Sequence, residues 1–108
     1  MATAPERTTE QRLAGLDAAM AARAARRQLL ADIRRGDVTI TDVLDLADSD
    51  LVVGRTRLRT VLLALPGVGP HRADALLARV ALQGDRRMCS LGVRQREHLI
   101  RETATKQV

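Results

Sequence analysis

Pro66, Gly67, Val68 and Gly69 stand between two apolar runs, and the chemistry they offer is that of bare main chain. Gly67 and Gly69 carry no Cβ and can take positive φ, so peptide N–H groups there can lie against an outside surface. Pro70 restarts a helix, because its fixed φ and missing N–H suit the first helical position. Those N–H groups therefore sit at a helix N-terminus, where partial positive charge favours an anion such as phosphate. Arg72 falls in the first turn of that helix, beside the bend. Arg55, Arg57 and Arg59 gather at the start of the preceding helix against its dipole, a local cost that an anionic partner would offset. Arg86, Arg87 and Arg94 follow downstream, each with a planar fork that donates bidentately to phosphate. Leu91-Gly92-Val93 repeats the apolar–glycine–apolar pattern and marks a second turn.

Other chemistries lack their parts. A base-extruding enzyme needs a catalytic carboxylate or lysine near a pocket with aromatic walls. The one lysine is Lys106, and Phe, Tyr and Trp are absent. His71 and His98 lack metal-ligand spacing. Asp42, Asp45, Asp48 and Asp50 lack the order of a calcium loop and read as a solvated face that repels nucleic acid. Cys89, alone, forms no internal disulfide or Cys-based metal cluster. It reads as a small loop residue rather than a thiolate activated by Arg86 and Arg87. No catalytic residue, metal, cofactor or small-molecule substrate is expected.

The elements that must position these residues are helical. Thr8 with Gln11 three residues on is a capping-box start, and good helix formers run to Arg35 with only Gly15 interrupting. Leu13, Leu16 and Met20 lie on one side of that helix, while Leu29, Leu30 and Ile33 form its only dense apolar group. The far half is expected to project, with Arg23, Arg26 and Arg27 on or near one face, either along a phosphate backbone or a partner or simply solvated. Gly36 and Asp37 end it, and Thr39 with Asp42 starts a short second helix. Leu51 to Gly54 is expected as a connector, with a third helix from Arg55 to Leu65 and a fourth from Pro70 to about Leu82. Gln83-Gly84-Asp85 is a turn, a last helix begins near Arg94 with Leu99 and Ile100 inward, and Thr103 to Val108 is a tail. Met1 to Arg7 is expected to fray.

Composition narrows the partner. One domain of 108 residues, 45% hydrophobic, can bury a modest core without staples. Sequence-tolerant grip on single strands relies on aromatic stacking, as do single-stranded RNA readers. Without aromatics the reading favours double-stranded DNA held by its backbone. Net charge is +5, unevenly placed: residues 1–35 carry +3, residues 36–50 carry −5, and residues 51–108 carry +7. A basic stripe beside a phosphate-binding loop is the expected footprint. No run of about 18 apolar residues and no leader pattern appears, so a cytoplasmic protein with no membrane partner is expected.

The string from Leu65 to Gly69, with the amphipathic helix after it, resembles the helix-hairpin-helix nucleic-acid binders. Residues from about Thr8 to Glu102 resemble the actinobacterial integration host factors. The likeness is carried by Val53-Gly54-Arg55-Thr56-Arg57-Leu58, Leu65-Pro66-Gly67-Val68-Gly69, Arg72-Ala73, Asp85-Arg86-Arg87 and Leu91-Gly92. It implies an all-α fold with a long N-terminal helix and a compact S13-like helix-two-turns-helix domain, divided as an arm over 1–35 and a DNA-binding domain over 36–108. It implies a monomeric nucleoid-associated protein that binds duplex DNA with little sequence preference, affects topology and compaction, and assists recombination, with recombinases or topoisomerases as candidate partners. Pro66 to Gly69 would face DNA, Arg86 and Arg87 would grip phosphates, and Gly92 would form the second turn. Pro70, Asp74 and Cys89 stand where the family has cations, partly offset by Arg94 and Arg96, which predicts weaker or altered DNA affinity. An RNA- or ribosome-binding module, or a helical protein adaptor, is the alternative. Pro66 or Val68 is a candidate wedge for bending DNA.

Overall fold

A computed structural model describes residues 8–104. The expected frayed segment over 1–7 and the end of the expected tail, 105–108, lie outside the described residues. Among those described there are six α-helices and one 3-10 turn, with no strand.

Helix α1 (Thr9–Arg35) opens on a reciprocal capping box. The Thr8 hydroxyl accepts from the Gln11 N–H at 3.1 Å, and the Gln11 side chain accepts from the Thr8 N–H at 2.9 Å. It ends at Gly36, whose φ of +83° is the left-handed cap that glycine adopts without steric cost. Leu29 and Ile33 are buried near that end, whereas Leu13, Leu16 and Met20 stay 54–56% exposed. The first half of α1 therefore overhangs the core. The molecule measures 63 × 29 × 25 Å, with a radius of gyration of 17.0 Å against about 13 Å for a compact domain of this length.

Helix α2 (Ile40–Leu46) has a second capping box, Thr39 with Asp42. The hydrogen bonds from Thr39 hold the Asp42 carboxyl below the usual range. Val43, Leu44 and Ala47 turn into the core, while Asp45, Asp48 and Asp50 stay exposed.

The expected connector at Leu51 is instead a short helix, α3 (Leu51–Arg55). The Asp50 carboxylate caps it, accepting from the Val52 and Val53 N–H groups at 2.9 and 3.2 Å. Gly54 lets it nest closely: a Cβ there would lie 2.3 Å from the Ala47 carbonyl oxygen and 3.1 Å from Cys89 Cβ. The next helix, α4 (Leu58–Ala64), accordingly begins three residues after the expected start. The cause is tertiary. Thr56 and Arg57 are extended because they pair with the chain around Arg87. The Met88 N–H donates to Thr56 O at 3.0 Å, and the Leu58 N–H donates to Arg86 O at 2.7 Å.

Helix α5 (Pro70–Val80) starts at Pro70 as its sequence requires but stops two residues before Leu82. Ala81 turns left-handed at φ +54°, and the Leu82 N–H reaches back to Leu77 O at 3.1 Å. That reversal tucks Leu82 into the core. A 3-10 turn over Met88–Ser90 follows, with Met88 fully buried. Helix α6 (Val93–Ala104) then takes in Thr103 and Ala104, which the sequence reading assigned to the tail. Ile33, Leu58, Leu62, Met88 and Leu99 are the largest buried side chains, so one core joins α1, α4, the 3-10 turn and α6. No helix among the described residues is long and apolar enough to cross a membrane.

Candidate nucleic-acid interface

Between α4 and α5 the chain bends as the glycines suggest, but the two glycines have different tasks. Gly67 sits at φ +77°, where a Cβ is penalised. Gly69 sits at φ −93°, ordinary extended backbone, so the positive φ available to it is not used. A Cβ added at either would meet nothing within 4 Å. The bend thus opens outward, with Pro66, Gly67 and Gly69 exposed and Val68 half-buried. Pro66, Val68 and Arg72 form one side of a groove of about 490 Å³, with Val38, Ile40 and Leu76 among its other walls. Arg72 Nε is shielded from solvent there and has no hydrogen-bond partner among the described residues.

A second concavity lies at the other end of α4. Arg26 from α1, Arg55 closing α3, Arg57 just before α4 and Arg87 line a recess of about 350 Å³, floored by Thr56 and Thr60. Local structure forces this convergence. The antiparallel bridge sets Arg57 opposite Arg87, and the buried Thr56 donates its hydroxyl to Val52 O at 2.7 Å, locking α3 to the bridge. Among the described residues no acid lines the recess. Arg26 Nε is enclosed without a hydrogen-bond partner among the described residues. Concentrated cations in a concave wall focus the field on an anion.

The remaining arginines divide by partner. Arg86, adjacent to Arg87, is turned inward on its own loop, donating to the Ser90 hydroxyl at 3.1 Å and to Ser90 O at 2.8 Å. Arg59 pairs with Asp74 at 3.2 Å, joining α4 to α5, so it leaves the trio at the helix start. Arg96, expected to offset the lost cations, is held by Asp48 at 2.9 Å and donates to the carbonyls of Leu44 and Leu91. Those hydrogen bonds from Arg96 lower the Asp48 pKa, and Asp48 raises that of Arg96. Arg96 is a tie between α2 and α6. Arg94 is exposed in the first turn of α6. Gly92 donates its N–H to the Gln95 side chain at 2.8 Å and has no positive φ, so the second turn is a capped helix start rather than a repeat of the bend. His71 is exposed, and His98 lies 3.5 Å from Glu102.

The structure therefore gathers Arg55, Arg57 and Arg87 at one place and Pro66, Gly67, Val68, Gly69 and Arg72 at another. The two groups flank opposite ends of α4. Gly92 precedes α6 and Arg94 lies in its first turn, while the far end of that helix, at Thr103 and Ala104, lines the groove by the bend. On sequence alone Arg26 belongs to the arm; its place in the recess comes from the fold. Its signal was spacing: Arg26, Leu29 and Ile33 follow the three- and four-residue steps of one helix face.

Residues 33–103 match the family described as S13-like H2TH domain. The chain is 41% identical over 96 residues to Integration host factor of Mycobacterium tuberculosis, covering 89% of this chain and 91% of that protein. It is 33% identical over 98 residues to Integration host factor of Streptomyces coelicolor, covering 91% and 92%. A solved structure, of sIHF bound to an 8-bp palindromic DNA, matches with a TM-score of 0.76 and 29% identity, covering 80% of this chain and 97% of that one.

Proposed function

This chain belongs to the actinobacterial integration host factor family of S13-like H2TH proteins, and from that premise we propose that it binds double-stranded DNA through backbone phosphates, largely independently of sequence. The observation that carries this reading is the acid-free convergence of Arg26, Arg55, Arg57 and Arg87 at one end of α4, with the outward-opening glycine bend at the other. In this reading Arg55, Arg57 and Arg87 neutralise phosphates, and main-chain N–H groups at Gly67 to Gly69 with Arg72 take another strand. Gly92 and Arg94 extend the contact, and Arg86 acts indirectly by holding the loop. Such binding constrains a duplex without chemistry on it. The role proposed is a monomeric, cytoplasmic nucleoid protein acting on topology, compaction and site-specific recombination, with recombinases or topoisomerases as protein partners.

The test is a salt-titrated gel shift on random duplex with a matched RNA competitor. Four to six neutralised phosphates give a slope of log K against log salt of about −4 to −5. A slope near zero, or preference for A-form RNA at equal salt, overturns the reading.

A further inference from the structure

The recess holds more positive charge than one phosphodiester can answer. Four arginines line it, from α1, α3, the start of α4 and the Arg87 loop, with no acid among the described lining residues. None of the four forms an ion pair among the described residues, whereas Arg35 has two and Arg59, Arg79 and Arg96 have one each. Duplex DNA is stiff and convex, with phosphates along each strand spaced by the helix. It spreads its phosphates along the rim of so small a concavity rather than packing several inside it. A chain of linked phosphates carries several charges within a few atoms, and each guanidinium fork can take two of its oxygens. The volume, about 350 Å³, lies at the small end of ligand pockets, which run roughly 300–1,000 Å³. Arg26 Nε is enclosed and has no hydrogen-bond partner among the described residues.

We propose that the recess formed by Arg26, Arg55, Arg57 and Arg87 is a seat for a compact linear polyphosphate, the polyphosphate moiety of a nucleotide or an inorganic chain. Because Arg55, Arg57 and Arg87 are also assigned to the duplex, an occupied seat lowers DNA affinity; that consequence, unlike the seat itself, rests on the DNA reading. The full chain is titrated calorimetrically with inorganic tripolyphosphate, and separately with orthophosphate and sulfate at matched ionic strength. Tripolyphosphate is expected to bind far more tightly than either. Arg26→Gln and Arg55→Gln, checked for unchanged helix content and melting, each weaken it by roughly 10- to 100-fold. No preference for tripolyphosphate, or binding indifferent to both substitutions, overturns the proposal. ATP and GTP binding more tightly than tripolyphosphate identifies a nucleotide, and equal affinity identifies the inorganic chain; both support the seat. Duplex binding is measured in the same buffers, so its absence with tripolyphosphate binding intact sinks the DNA reading alone.

Discussion

Replacing Arg87 by alanine removes a guanidinium that has no acid partner among the described residues. Duplex affinity then falls by a similar factor for unrelated sequences, and the salt slope loses about one unit, both readable by anisotropy. Losses that depend on sequence would mean base readout instead. Its neighbour Arg86 holds Ser90 through two hydrogen bonds, so Arg86→Ala costs stability, about 1 kcal/mol, measurable by urea unfolding. Gly69 separates folding from binding in the opposite sense. It precedes α5 in extended backbone with open space around it, where aspartate is a preferred cap and its charge suits the helix dipole. Gly69→Asp is expected to raise the melting temperature while lowering duplex affinity. Unchanged duplex affinity would remove the bend from the interface.

Helix ends carry the next set of consequences. Ala81 closes α5 in a left-handed conformation that costs a Cβ-bearing residue about 1–2 kcal/mol, so Ala81→Gly should raise stability by up to that amount in a thermal melt. Between α2 and α6, hydrogen bonds from Arg96 hold the Asp48 pKa below its unfolded value near 3.9. Their contribution is thus present above that value and disappears as pH falls through the lowered one. Asp48→Asn removes it at neutral pH and flattens the acid limb of a stability profile. An acid limb as steep as the parent's would assign that limb to other carboxylates, such as Asp42. Elements bounded by local signals were legible in the sequence: Thr8 with Gln11, Gly36, and Thr39 with Asp42 bound their helices as read, and the chain bends at Pro66–Gly69, though only Gly67 of its two glycines takes a positive φ. Features closed by distant partners were not. Nothing near Arg55 announces that Thr56 will pair with Met88, nor does Arg96 show that Asp48, 48 residues away, will claim it. Arg26 was legible in part, since its face could be read from spacing but its three companions could not.

Across the whole molecule charge and shape are arranged together. The acids of α2 and the cap of α3 stay on the surface, while the acid-free recess draws on α1, α3, α4 and the Arg87 loop. An approaching duplex is thus repelled from one region and attracted to another, which orients encounter before contact. Through Arg26, α1 belongs to the attractive region as well as to the core. Beyond Ala22 toward its N-terminus, however, residues 9–21 of α1 are exposed throughout, and isolated helices of about 12–15 residues are marginal in water. One rod therefore has two thermodynamic ends. In hydrogen–deuterium exchange, amides near Thr9 should trade protons through local unwinding, whereas those from Leu29 to Ile33 should trade only when the bundle opens. The free energy of opening should climb along a single continuous helix, like a zipper stitched at one end.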